Sequence, residues 1–134
     1  MSDIIASSLK TYLLTLTATN TVCTELGTHF TFGTNLFIGI EPETTNCVTI
    51  IPYPGGPPTS DGSRQESAIQ MRVKADSIRK SLRTSQSIIN LLHNNDKMSG
   101  KCTAVQSSPI ILGVQEGGES VITVSNFVIK HIRL

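Results

Sequence analysis

Within Ser67–Asn95 the spacing of apolar side chains changes from every second position to every third or fourth, and the change leaves few folds open. Ile69, Met71, Val73 and Ala75 alternate with Gln70, Arg72 and Lys74. A strand buries the first set and leaves the second in water. From there Ile78, Leu82, Ser85, Ile89 and Leu92 recur at intervals of four and three, which stacks them along one side of a helix. Asp76 or Ser77 offers an N-cap oxygen, and Asn94-Asn95 offers a stop. At ~1.5 Å per residue a Ser77–His93 helix is roughly 25 Å long, enough to cross a small sheet. The stretch predicts a strand of antiparallel sheet with a helix laid over it.

A chain of 134 residues fits a single domain, 1–134, that buries roughly two-thirds of its unfolded surface. No apolar run approaches the ~20 residues that span a bilayer. Asp3 and the lack of an early basic region argue against a secretory signal. Cys23, Cys47 and Cys102 are widely spaced and odd in number, as expected of reduced, structural thiols in a cytoplasmic product. Residues 1–66 carry two cationic side chains against six acidic ones, net −4, and residues 67–134 carry nine against four, net +5. Opposite halves of this kind suit head-to-side association of identical copies; clustered, solvated surface charge is the plainer reading.

Met1–Thr17 reads as a helix with Ser2 or Asp3 as cap and Ile5, Leu9, Leu13 and Leu16 as its apolar stripe. Thr19–Gly33 is Thr-rich and unperiodic, a loop with a short extended piece around His29–Phe32. Leu36–Ile40 and Cys47–Tyr53 read as strands, and Pro52 places the end of the second at an edge. Thirteen residues, Pro54–Glu66, then lead to the central strand, against the ~2–5 that a hairpin needs. After the long helix come two extended runs, Cys102–Ser107 and Ile110–Val114, broken by Pro109. A turn at Gln115–Gly118 precedes a last strand, Glu119–Leu134. On that strand Val121, Thr123, Ser125, Phe127 and Ile129 share one face and Ile122, Val124, Val128 and Ile132 the other, so both faces are candidates for cover. The expected fold is α+β: a mainly antiparallel sheet of four to five strands with two helices packed on one face, and a projecting loop at 54–66.

No catalytic constellation emerges. His29, His93 and His131 have no metal-ligand spacing to the cysteines or carboxylates. No hydroxyl or thiol sits in a nucleophile motif, and Pro54–Pro58 lacks the Gly-Lys-Ser/Thr of a phosphate cradle. No metal and no cofactor are expected. Arg79 and Arg83 lie near each other on the helical wheel with Lys80 on the adjoining flank, and Arg72 and Lys74 occupy the polar face of the strand before. Such a patch attracts phosphates without reading sequence. It has no interleaved aromatics and the chain has no tryptophan, so base stacking is not expected. Leu91 falls on the polar side of the helix, either a lone exposed leucine or a subunit contact.

The order of elements resembles the small tailed-bacteriophage proteins called minor capsid or tail terminator proteins. The resemblance rests on Ile51-Pro52-Tyr53-Pro54-Gly55-Gly56-Pro57-Pro58, on Ile69–Val73, on a helix ending Ile88–His93, and on Gln106-Ser107-Ser108-Pro109 before Leu112-Gly113. It runs over about residues 47–128, and the N-terminal helix matches in kind. It implies a structural virion protein made in the host cytoplasm: a homo-hexameric ring at the head-proximal end of the tail. Such a ring stops tail-tube polymerisation, meets the tail tube protein and a head-completion or connector protein, and lets DNA pass through its lumen unread. Tyr53, Pro54, Gly55, Gly56, Pro57, Pro58, Arg64 and Leu91 are then the expected assembly residues, with Arg79, Lys80 and Arg83 facing the lumen. The alternative is a small module that binds nucleic acid without sequence preference through the basic face of the 77–93 helix.

Overall fold

A computed structural model describes residues 2–17, 20–40, 42, 45–53, 64–96, 100–114 and 120–132. In chain order these form α1 (Ser2–Leu14), α2 (Thr21–Leu26), β1 (Leu36–Ile38), β2 (Cys47–Tyr53), β3 (Arg64–Ala75), α3 (Ile78–Leu92), β4 (Lys101–Ala104), β5 (Ile110–Val114) and β6 (Val121–Ile132). The long alternating segments build the centre of one sheet. Strands β3 and β6 pair antiparallel along their full lengths, from Arg64↔Ile132 to Ala75↔Val121. On the far side of β3, β2 pairs antiparallel from Cys47↔Lys74 to Tyr53↔Ala68. The order is β1-β2-β3-β6, with β4 and β5 both on the outer edge of β6.

The alternation buries the expected residues on one face. Val48 and Ile50 of β2, Ile69, Met71 and Val73 of β3, and Phe127 and Ile129 of β6 join one core with Ile5, Leu9 and Leu13 of α1 and Ile88, Ile89 and Leu92 of α3. Both long helices therefore cover the same face. Ser77 is the N-cap of α3, its Oγ accepting from Lys80 N at 3.2 Å. The helix ends at Asn94, whose φ of 64° is the left-handed turn-out that asparagine tolerates.

The fold departs from expectation in several places. Among the described residues the sheet has six strands, and it is mixed: β1 runs parallel to β2, Leu36↔Val48 to Ile38↔Ile50. A parallel return normally needs a long crossover. Here β1 is only three residues long, so the eight residues 39–46 suffice to bring the chain back. Gly39, with φ 90°, ends β1 before the expected Ile40. The described residues form three helices. The segment read as a loop contains α2, capped by Asn20 Oδ1 accepting from Val22 N at 3.0 Å and closed by Gly27 at φ 101°. Val22, Cys23 and Leu26 are buried, so this single turn and a half adds to the core against α3. Arg64–Glu66, expected in the loop, belong to β3 because β6 is long enough to pair them. The rest of that loop, 54–63, and the Gln115–Gly118 turn lie outside the described residues, as do the side chains of Ser2 and Asp3.

Two side-chain placements also differ. The buried stripe of α3 is rotated: Ile78 is exposed and Leu82 half-buried, whereas Ser81, Thr84 and Ser85 are fully buried. Small residues here let the helix approach the sheet closely. Ser81 Oγ donates to the Val73 carbonyl at 3.1 Å and lies 2.9 Å from Thr123 Oγ1, which also reaches the Ser81 carbonyl at 3.2 Å. Lys74, expected in water, is buried on the opposite face of the sheet. Its Nζ donates to the carbonyl of Pro42, from the segment between β1 and β2, at 2.9 Å.

Deleting the buried Ile88 side chain in Ile88→Ala should cost ~2–5 kcal/mol, and Leu82→Ala clearly less. Ser81→Ala should cost ~1 kcal/mol by removing the hydroxyl that donates to the Val73 carbonyl, since Thr123 Oγ1 keeps the Ser81 carbonyl, while Ser85→Ala, whose hydroxyl has no partner among the described residues, should be close to neutral. Urea unfolding curves measure all four. Equal losses for Ile88 and Leu82 would contradict the rotated stripe.

Candidate functional site

The two ends of the sheet carry most of the exposed apolar surface. At one end β4 and β5 lie in line along β6, β4 from Lys101↔Lys130 to Ala104↔Phe127 and β5 from Ile110↔Val124 to Val114↔Val121. They are one strand interrupted by residues 105–109. Across the interruption Val105 N donates to the Asn126 carbonyl at 2.9 Å, and Gln106 Oε1 accepts from Asn126 N at 3.1 Å in place of a ladder partner. Gln86 of α3 holds the excursion from above, its Nε2 donating to the Ser107 carbonyl at 3.1 Å. Beyond it the pairing shifts by one residue between Ile111 and Gly113, so Leu112 is bulged.

On β5 the apolar run faces water on both sides. Ile110, Ile111, Leu112 and Val114 are 46–60% exposed, and β6 is the strand's single partner among the described residues. An uncovered, apolar edge strand is a site for association. Beside it, between the end of α3 and the excursion, lies an open groove of about 440 Å³ lined by Ile89, Asn90, His93, Ala104, Val105 and Gln106. His93 Nδ1 accepts from Ala104 N at 3.1 Å and ties the two walls together.

At the other end β1 has β2 as its strand partner. The chain enters β1 through a turn built on Asn35, which is buried: its Oδ1 accepts from Thr31 N at 2.6 Å and its Nδ2 donates to the His29 carbonyl at 2.9 Å. This turn presents Phe32, 49% exposed, with Lys10 Nζ 4.7 Å above its ring. Just past the end of β1, after Gly39, Ile40 is 83% exposed.

The expected site residues are scattered. Arg79 and Arg83 are exposed on the same flank of α3 as Gln86 and Asn90, but Lys80 is half-buried and leans the other way. A Cβ placed on Gly27, the end of α2, would lie 3.9 Å from its Nζ, where helix-end carbonyls attract a cation. The basic trio is therefore not one patch. Leu91, expected to be exposed, is half-buried and packs on the core, because α2 covers its side of α3. Tyr53 and Arg64 lie at the ends of β2 and β3, and their side chains, like all of Pro54, Gly55, Gly56, Pro57 and Pro58, are outside what the structure describes. All three cysteines are buried. Burial pushes the Cys102 thiol up to about 12 and raises that of Cys23 as well. Among the described residues no three His, Cys, Asp or Glu side chains could share a metal, and no helix is long and apolar enough to cross a membrane.

The family model described as bacteriophage tail terminator protein matches residues 15–129, from just after α1 into β6. No curated protein sequence matches the chain.

If Asn35 sets the turn that displays Phe32, Asn35→Ala should cost ~1–3 kcal/mol, since it leaves the Thr31 N–H and His29 carbonyl short of a partner. Thermal unfolding would register the loss. An unchanged melting curve would remove Asn35 from this role.

Proposed function

The chain belongs to the bacteriophage tail terminator family, whose model covers 15–129, and on that premise we propose that it is a structural subunit of the virion tail. Six copies close into a ring at the head-proximal end of the tail tube, stop the tube protein from adding further, and present the surface on which a head-completion or connector protein seats. DNA passes through the lumen without being read. Arg79 and Arg83, the exposed members of the basic trio, supply a diffuse positive field on the passing phosphates. The proline-rich segment around Tyr53–Pro58 and Arg64 reaches a neighbouring copy or the tube.

The family match carries this reading. The exposed sheet ends support it, because a subunit that works only in an assembly has no need to hide those edges by itself. In solution, light scattering after size-exclusion chromatography should give six times the subunit mass, and negative-stain images should show rings. Particles deprived of the protein should carry tails of uncontrolled length that do not join heads. A monomer at all concentrations, or tails of normal length in its absence, would overturn the proposal.

A further inference from the structure

We propose that His93 is a pH-released latch on the edge of the sheet: its neutral imidazole closes the β4 edge at Ala104, and protonation opens it. The latch belongs to the fold of the single subunit and needs no neighbouring copy. In an antiparallel strand successive residues turn their backbone groups to opposite sides. Val105 turns toward β6, its N–H donating to the Asn126 carbonyl at 2.9 Å. Ala104 and Cys102 are therefore the residues that turn outward, where no further strand lies among the described residues. The turn after α3 closes that edge instead. At Cys102 the closure is backbone on backbone: its carbonyl accepts from Asn94 N and its N–H donates to the Asn95 carbonyl, both at 2.8 Å. At Ala104 the acceptor is a side chain, His93 Nδ1, at 3.1 Å. A titratable ring thus makes the last closed rung before the bare edge of β5.

The donor fixes the chemistry. A backbone N–H can only donate, so Nδ1 holds a lone pair and the neutral ring carries its hydrogen on Nε2. Protonation puts a hydrogen on both ring nitrogens, and Nδ1 then meets the Ala104 N–H donor to donor. Histidine is the side chain that makes this change between about pH 5 and 8. A rung that only the neutral ring can form stabilises the closed edge above the titration and is lost as pH falls through it. His93 is exposed, so the cationic ring is free to swing into water, and the groove between α3 and β4 loses the tie between its walls. The rest of the groove lining, Ile89, Asn90, Ala104, Val105, Gln106 and Ser107, is uncharged. Around it, β4 brings Lys101 and Cys102, whose thiol burial pushes up to about 12. The turn brings Asp96, and α1 brings Tyr12, whose hydroxyl accepts from Asn95 Nδ2 at 3.2 Å. The nearest charge on α3 is Arg83, and Lys130 of β6 pairs with Glu66 at 3.9 Å. Among the described residues none of these bonds to the ring, so no neighbouring charge replaces the lost rung.

Amide-resolved hydrogen exchange tests the latch. Rates are measured at about pH 8 and about pH 5, the ends of the histidine range, and corrected for the intrinsic effect of pH. The Ala104 amide should lose protection by roughly three- to tenfold on acidification, the net worth of one hydrogen bond. The Cys102 amide, held by the Asn95 carbonyl, should keep its protection. The acid-dependent loss at Ala104 should vanish in His93→Asn, whose side-chain oxygen replaces Nδ1 without titrating. It should vanish in His93→Ala too, with Ala104 unprotected throughout. Ring nitrogen shifts of the unaltered protein at the upper pH should report hydrogen on Nε2, a reading that needs no variant. An Ala104 amide equally protected at both pH values would overturn the proposal. So would an acid-dependent loss that persists in either variant, or a neutral ring with its hydrogen on Nδ1.

Discussion

The antiparallel ladder between β3 and β6 is the interaction on which the rest depends. It runs the whole of both strands, twelve residues each, and every other element is placed by it. The hydrogen bonds themselves are worth little net, since water competes for the same groups. Their importance is register. Fixing Ile69 against Phe127 and Met71 against Ser125 fixes which side chains face α1 and α3, and a slip by one residue would turn the core outward. The Ser81–Thr123–Val73 hydrogen bonds then lock α3 to this pair at close range.

That ladder was legible in the amino-acid pattern because both strands alternate cleanly and because the helix after β3 follows within three residues. What was not legible had weaker local signals. The helix α2 is six residues long, too short for periodicity to stand out from a Thr-rich run. Its marks were the bracket of Asn20 and Gly27 around Val22, Cys23 and Leu26. The position of the α3 stripe depended on Ser81, Thr84 and Ser85, residues whose polarity argues for solvent but whose small size suits a close helix–sheet contact. Lys74 looked solvent-facing because alternation says nothing about the segment between β1 and β2, whose Pro42 carbonyl accepts from its ammonium.

The surface for assembly was harder still. Pattern reading placed it on the long proline-rich segment and on Leu91; the second turned out to be largely covered from within the chain. The stretch Ile110–Val114 passed as an ordinary strand. A continuous apolar run of that kind signals burial on both faces, and here Ile110, Ile111, Leu112 and Val114 stay exposed with β6 as their one strand partner among the described residues. The physical lesson lies in that mismatch. A strand patterned for burial yet exposed at a sheet edge is a surface of the kind on which proteins associate.

Hydrogen exchange compared between the assembled protein and the dissociated subunit reads this claim most directly. Amides of β3 and β6 should exchange at the same slow rate in both, because their ladder is internal. Amides of Ile110–Val114 should slow on assembly, since an exposed apolar edge strand is where a neighbour gives cover. Rings in which this strand exchanges as fast as in the free subunit would contradict the account.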